Sequence, residues 1–404
     1  MRKKILMLTT VYPSPDLLVT NNTNVCHYFA SEWVKLGYDV LVVHNYPIYL
    51  KILHFFAKLV GPFLASRFNT LVTTSYSSED KFWELDGVKI IRIPLFKPLP
   101  HFSVPAKVMK RHVEKIVSYC KNQDFIPDAI TSHFIYPHVP MVNALKISFP
   151  NARTCVVVHK QNWKMLKYLG HNPINEMKKI EVWGFRSKSL MREFKKNTGL
   201  TPDSFMCYSG IPTHFLSEKI CNVCKPINKF IYVGSLIQRK FPEKVLLGIC
   251  NSSVKASFLL DYVGDGVNKK IIECIAKEKN CESKVHLHGF VERKCVPRYL
   301  EKSNCFIMIS KDETFGLVYL EAMSMGLITI ASKSEGMEGI IENGKNGFLC
   351  EAGNEIELSQ IIDEINKMSN ERLKDISANA RKTALRLTDA NVAKMYMDGI
   401  IKCD

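Results

Sequence analysis

The sequence predicts an α/β protein of two domains, each built on a parallel β-sheet, and three observations carry that expectation. Short apolar runs alternate with longer amphipathic stretches along almost the whole chain, which is the pattern of βαβ units. The 404 residues exceed what one hydrophobic core usually organises. The runs also fall into two series, divided by the polar, proline-containing segment "SEKICNVCKPIN" at 217–228, where the chain is expected to cross between domains.

In the first series "KILMLTT", "DVLVVH", "KIIRIP", "DAITSH" and "TCVVVH" read as strands. Between the first two, "NVCHYFASEWVKLG" spaces Tyr28, Phe29, Trp33 and Leu36 for one face of a helix that Gly37 closes. The second series is "KFIYVGS", "SFLLDYVG", "KVHLHG", "CFIMIS" and "LITIAS". No short-period repeat is visible, which argues against a solenoid.

Composition bounds the partners. Hydrophobic residues at 46% and charged residues at 23% suit an ordinary folded protein, but the formal charge of +16 does not. Residues 1–200 hold 28 Lys and Arg against 13 Asp and Glu, whereas residues 201–404 hold 27 against 26. The basic half therefore calls for an anionic partner of its own, nucleic acid or acidic lipid headgroups. The thirteen cysteines are scattered and odd in number, and the start "MRKKILMLTTVYPSP" reads as a first strand rather than a leader, so reduced thiols in a cytoplasm are expected. The one CxxC, Cys221 to Cys224, lacks a second pair at zinc-site spacing.

The stretch "KDETFGLVYLEAMSMG" at 311–326 follows the strand "CFIMIS". Asp312 or Thr314 is positioned to cap a helix from about Phe315 to Met325, with Gly326 as its stop and Gly316 in its first turn. Amide groups there lack helical partners and the helix dipole favours an anion, so a glycine would let a phosphate approach them. On a wheel Val318, Ala322 and Met325 share the core side and Glu321 lies on its apolar flank, where a carboxylate needs a partner. Glu313 sits in the loop at the strand's C-terminal end, where open α/β sheets bind ligands.

These residues resemble the signature of the family 4 retaining glycosyltransferases. Glu313 and Glu321 at their eight-residue spacing, the strand "GLITIAS" and the "GKNGFL" turn at 344–349 carry the likeness. It implies the GT-B fold: two facing Rossmann-like domains with parallel sheets and a deep interdomain cleft. The expected parts are an N-terminal acceptor-binding domain (1–215), a C-terminal nucleotide-sugar-binding domain (216–385) and a last helix (386–404) crossing back to the first domain. The resemblance also implies that Glu313 meets the donor sugar. By the same likeness the backbone of Thr314, Phe315, Gly316, Leu317 and Val318 cradles the nucleotide diphosphate, and Glu321 accepts from the ribose hydroxyls. "YVGSLIQRK" (232–240) is similar to the family's diphosphate loop, giving Gly234, Arg239 and Lys240, with Ser235 where many members have arginine. "HLHGFV" (286–291) is similar to the strand end near the base, giving Gly289 and Phe290, and "YSGIPTHF" (208–215) to the hinge turn, giving Gly210 and Ile211. In the first half "VVVHKQN" supplies His159 as a catalytic candidate and "TSHFIYP" supplies His133. The loop "VTNNTN" (19–24) departs from the family's double glycine, and Glu338 is left unassigned.

The implied reaction moves a sugar, retaining its anomeric configuration, from a nucleotide-diphosphate sugar, UDP favoured, to a lipid-linked or glycan acceptor such as a capsule or lipopolysaccharide precursor. No Asp-x-Asp pair is present, so cations and helix amides are expected to replace a metal, and no cofactor is expected. In the basic half Lys51, His54 and Lys58 recur opposite Leu53, Phe56, Leu59 and Val60, the pattern of an interfacial helix. A second helix at 105–121 adds Lys107, Lys110, Arg111 and Lys115. Each cation near anionic lipid contributes ~1 kcal/mol, which points to a peripheral enzyme on the inner face of the cell membrane. A nucleic-acid-binding protein is disfavoured because the aromatics of this half lie in apolar runs. A sugar-nucleotide isomerase or phosphorylase on the same fold is the other alternative.

Overall fold

The computed structural model describes residues 2–16, 24–55, 76–99, 102–159, 163–216, 221 and 223–401. The chain divides into two compact units. Met1–Arg186, Leu190–Cys207 and Asp389–Asp404 make the first; Ser187–Ser189 and Tyr208–Thr388 make the second.

The first unit holds an eight-stranded sheet of β1 (Lys4–Thr9), β2 (Asp39–Ile48), β3 (Lys81–Leu85), β4 (Val88–Phe96), β5 (Ala129–His133), β6 (Arg153–Val158), β7 (Val182–Phe185) and β8 (Ser204–Met206), in the order β3-β4-β2-β1-β5-β6-β7-β8. Its pairings are parallel except β3 with β4. That hairpin turns on Asp86 and Gly87, both at positive φ, as a two-residue loop between right-twisted strands requires. β3, β7 and β8 fall outside the apolar runs that mark strands in the sequence. β3 is an edge strand of alternating exposure, and β7 and β8 have four and three residues.

Helices α1 (Val25–Lys35), α2 (Ala106–Asn122), α3 (His138–Ser148), α4 (Pro173–Lys178) and α5 (Lys188–Thr198) connect these strands, with a helical turn at 51–55. α1 buries Cys26, Phe29, Ala30 and Trp33, while Leu36, expected inside, is the C-cap and stands 45% exposed. Gly37 follows at φ +94° and ends the helix, as expected of a C-terminal glycine.

The second unit's sheet contains β9 (Lys229–Val233), β10 (Leu259–Val263), β11 (Val285–Leu287), β12 (Cys305–Met308), β13 (Ile328–Ser332) and β14 (Phe348–Cys350), all parallel, ordered β11-β10-β9-β12-β13-β14. β14 comes from the end of "GKNGFL", read in the sequence as a turn alone. β12 and β13 are buried throughout, which is why they read as unbroken apolar runs. Its helices are α6 (Pro242–Cys250), α7 (Lys269–Glu278), α8 (Pro297–Leu300), α9 (Leu317–Ser324), α10 (Glu355–Lys367) and α11 (Asn370–Arg386). The last helix, α12 (Asp389–Ile400), packs in the first unit. There Trp33 Nε1 donates to the Ala393 carbonyl at 3.1 Å, and the Tyr396 ring meets Phe29 and Trp33 edge-on.

The break between units falls after Cys207, ahead of the expected residue 215. Residues 208–215 belong to the second unit because they pack into it. The Ile211 amide donates to Leu387 O at 3.0 Å, and the buried Phe215 accepts from Ser324 Oγ at 2.9 Å. Thr388 bridges Ile211, so the final segment begins at Asp389 rather than 386.

Strand order reverses between β1 and β5 in one sheet and between β9 and β12 in the other. Loops leaving the C-terminal ends diverge at such points, which makes them the ligand sites of open α/β sheets. In the second unit the loops beyond β9, β10 and β11 are drawn together by direct backbone contact. Gly234 N donates to Val263 O, Leu236 N to Asp265 O and Gly264 N to Gly289 O, all within 2.8–2.9 Å. A Cβ on Gly264 would lie 2.0 Å from the Gly234 oxygen, and one on Gly266 2.3 Å from the Leu236 oxygen. Gly264→Ala is therefore expected to destabilise the fold by about 1–3 kcal/mol, read as a lowered urea midpoint, whereas Gly199→Ala, whose glycine has no neighbour within 4 Å of such a Cβ, should cost less.

Candidate active site

The site is built where β9 and β12 diverge. Beyond β9 the chain makes a helical turn over Gln238–Lys240, and beyond β12 it loops to α9. The two loops are stitched by Lys311 N donating to Arg239 O at 2.7 Å and Arg239 Nη1 to Lys311 O at 3.4 Å. The Lys240 side chain runs past Gly234, where a Cβ would come within 3.3 Å of Nζ. It ends 3.5 Å from Glu313 Oε2, with Arg239 Nη1 at 3.9 Å from the same oxygen. Three residues proposed from two motifs thus share one point, and the Lys240 and Glu313 side chains are each 15% exposed.

Gly316 is the N-cap of α9 rather than part of its first turn. It holds φ +83°, and a Cβ on it would stand 2.5 Å from the Tyr319 ring, so the backbone turn and the aromatic both require glycine. Neither Asp312 nor Thr314 caps the helix, whose N-terminus has no side-chain cap. α9 is buried nearly all round. Val318, placed at the centre of the core face by the sequence, is half-buried near the helix's open end, as are Thr314 and Leu317. Phe315 is buried and its backbone meets Gly336, where a Cβ would lie 2.6 Å from Phe315 atoms. Tyr319 fixes the arrangement from below by donating to Met308 O at 2.7 Å. Glu335, which motif reading did not single out, accepts from the Glu313 amide at 2.9 Å and so orients the loop.

Glu321 is 3% exposed and has the partner that its burial demands. Arg293 Nε and Nη2 both point at Oε1, at 2.8 and 2.7 Å, and the guanidinium lies 5.3 Å over the Phe215 ring. Oε2 has no donor among the described residues. Burial raises the Glu321 pKa while the Arg293 charge opposes that shift. Arg293 was not a sequence candidate; the signal available was the need for a cation near Glu321. Nearby, the Gly289 carbonyl accepts from Gly264, Phe290 stands 81% exposed and Gly210 is buried beside the Ile211 bridge.

In the first unit His159 and His133 meet at the ends of β6 and β5. His159 Nε2 lies 2.9 Å from His133 Nδ1, and His133 Nε2 lies 3.4 Å from the Tyr396 hydroxyl, itself 2.6 Å from Thr131 Oγ1. Burial lowers both imidazole pKa values well below the ordinary range, and for His159 the adjacent His133 lowers it further. Both are neutral at physiological pH. His159 Nδ1 keeps no partner among the described residues, and the ring stacks at 4.3 Å on Phe134, held at φ +78°. For a phenylalanine that is an uncommon backbone state, of a kind that clusters at functional sites.

The expected interfacial helix is altered by its histidine. His54 is 4% exposed and its Nε2 accepts from the Tyr49 amide at 3.1 Å, while Ile52 and Phe55 face outward beside exposed Lys51. Lys58 lies outside the described residues. On α2 Lys107, Lys110 and Arg111 are exposed, but Lys115 is paired with Asp80 at 3.0 Å. No described helix is long and apolar enough to cross a membrane. The cysteines of the described residues are free thiols.

Residues 223–383 match the family model described as glycosyl transferases group 1. The matched span contains Lys240, Arg293, Glu313, Gly316 and Glu321 together. The second unit carries a group 1 glycosyltransferase domain. It is 26% identical over 254 residues, 61% of this chain and 67% of the relative, to an uncharacterized glycosyltransferase of Methanocaldococcus jannaschii. It is 23% identical over 272 residues, 64% of this chain and 73% of the relative, to a Campylobacter jejuni N-acetylgalactosamine-N,N'-diacetylbacillosaminyl-diphospho-undecaprenol 4-alpha-N-acetylgalactosaminyltransferase. Other curated relatives match over only 29–33% of their own length. Among solved structures, an Anabaena protein in complex with UDP and glucose covers 98% of this chain and 99% of its own at TM-score 0.63 and 15% identity, which establishes the GT-B fold.

In this domain the Glu321–Arg293 pair makes a pH-dependent prediction. Arg293→Met leaves a buried carboxylate without its cation, which should destabilise the fold by up to about 3 kcal/mol at neutral pH. Because the Glu321 pKa is raised in the folded state and rises further without Arg293, the folded form takes up the proton first. The deficit against wild type should thus be largest at neutral pH and shrink as pH falls through the carboxylate range, as measured by urea unfolding at several pH values.

Proposed function

We propose that this protein transfers a sugar, with retained anomeric configuration and without a metal, from a UDP-sugar to a hydroxyl of a lipid-linked or glycan acceptor in bacterial surface polysaccharide synthesis. The observation that carries the donor half is Glu321: a nearly buried carboxylate with one oxygen held by Arg293 and the other bare. On a carboxylate this buried, an oxygen without a protein donor suits a hydroxyl-bearing ligand, which would supply the missing hydrogen bond. One turn away the uncapped start of α9 faces the same loops as Arg239 and Lys240. Amides and cations together suit a diphosphate, whose leaving charge they would stabilise.

Roles follow from position. Arg239 and Lys240 bind the diphosphate with the backbone of Thr314 to Val318, Glu321 binds the ribose and Phe290 offers a ring face to the base. Glu313 turns from the cations to the sugar hydroxyls when the diphosphate takes its place. The exposed Lys51, Lys107, Lys110 and Arg111 support reversible docking on an anionic inner membrane surface. The undecaprenol-linked substrate in the name of the Campylobacter relative supports a lipid-linked acceptor.

Glu321→Gln should weaken UDP binding, because an amide can place its N–H2 where a hydroxyl must donate, whereas Glu313→Gln should leave UDP affinity within about twofold and depress transfer. Equal losses of UDP affinity, measured by calorimetry, would reverse the two assignments. UDP at 100 times its dissociation constant should stabilise the wild type by ~2.7 kcal/mol, and a panel of nucleotide sugars by thermal shift identifies the donor. Sugar transfer should persist in EDTA, and complete loss there would overturn metal independence.

A further inference from the structure

The first unit carries a cavity whose lining includes none of the candidate site residues. It has a volume of about 350 Å3 and is lined by residues of β7, α5, β8 and the loop 199–203. That volume lies at the small end of the roughly 300–1,000 Å3 in which proteins hold small ligands. The floor is apolar: Phe185 and Phe194 are buried, with ring centroids 5.1 Å apart, and half-buried Leu200 closes one side. The mouth is cationic, with Arg192 and Lys195 both exposed on successive turns of α5. Among the described residues no acidic side chain lines it. The surrounding stretch 186–196 carries five cations against the single acid Glu193.

We infer that this cavity binds an anionic amphiphile, its alkyl chain against Phe185, Phe194 and Leu200 and its charged head between Arg192 and Lys195. The assignment rests on shape and charge in one place. An apolar floor alone would accept any hydrophobe, and a cationic helix face alone would accept any anion. A single chain with an anionic head satisfies both, and the long stems of Arg192 and Lys195 can cover the chain while their heads stay in water. The site lies beside β8, the edge strand of its sheet, and shares no residue with the donor loops.

The probe is dodecyl phosphate, titrated calorimetrically below its micelle concentration into the full chain. It should bind saturably at one site, while butyl phosphate, which has the head without the chain, and dodecyltrimethylammonium, which has the chain with the opposite charge, should bind at least about tenfold more weakly. Reversing the mouth with Arg192→Glu and Lys195→Glu should weaken dodecyl phosphate by roughly tenfold or more, and Leu200→Trp should abolish its binding by filling the cavity. Unfolding midpoints of both variants are measured first, and the exposed charge-reversal pair keeps the test open where Leu200→Trp loses stability. Unchanged binding in a folded variant, or equal binding of the cationic amphiphile, overturns the inference. Phosphatidylglycerol vesicles then separate the sources: depletion of the bound probe by vesicles assigns the cavity to a membrane lipid, and retention assigns it to a free amphiphile.

Discussion

The architecture of the donor side depends on backbone approaching backbone at the ends of three adjacent strands. The loops after β9, β10 and β11 lie close enough that Gly264 and Gly266 have no room for a side chain against the carbonyls of Gly234 and Leu236. Because β9 sits next to the reversal in strand order, that contact fixes where the 238–240 turn begins. Lys240 is then aimed past Gly234, and the bond from Lys311 to the Arg239 carbonyl carries the constraint across to the loop of Glu313. Glycines that a motif reading gives to the ligand thus hold the scaffold first. Any contact Gly234 or Gly289 makes with a donor comes from loops already positioned by their neighbours.

The two acids of the 311–326 stretch differ because their surroundings do. Glu313 is largely buried, with its Oε2 at the long distances of 3.5 and 3.9 Å from Lys240 and Arg239, and it owes its backbone position to Glu335. Its charge can be exchanged for that of an anionic ligand at modest cost, since the cations remain satisfied. Glu321 is embedded in a helix buried on nearly every side, and its partner Arg293 occupies only one oxygen. Under the proposed function Glu321 is therefore the group held in place by its partner, and Glu313 the one whose longer contacts with its cations give way to a ligand.

Much of this was legible in the sequence, and the exceptions have physical causes. Buried parallel strands such as β12 and β13 read directly as apolar runs, the strand–loop–helix order put Glu313 and Gly316 beyond the end of β12, and the family resemblance added Lys240. The hairpin β3–β4 carried the signal of Asp86-Gly87, but its first strand β3 lacked an apolar run, because an edge strand buries only one face. Arg293 could not be found by periodicity, since it reaches Glu321 from a different loop through folding. His54 shows the converse error. Helical spacing grouped it with Lys51, yet its ring accepts a hydrogen bond from the Tyr49 amide and is buried by doing so. Spacing reports which residues share a side of a helix; which side is wet depends on what the helix packs against.

Charge is distributed the same way, with a local and a global meaning that differ. The second half of the chain is nearly neutral, yet under the proposed function it meets the most highly charged ligand, because two cations and a set of helix amides converge where the loops of β9 and β12 meet. The first half carries almost all of the excess positive charge, and where it is exposed on α2 it is spread along the helix surface rather than focused. Spread charge acts over a Debye length and favours association with any anionic surface, whereas convergent donors act over a hydrogen bond and select one group. The net charge of a domain is therefore evidence about what the enzyme rests against. What it turns over is decided by a few directed groups, which a domain can supply at zero net charge.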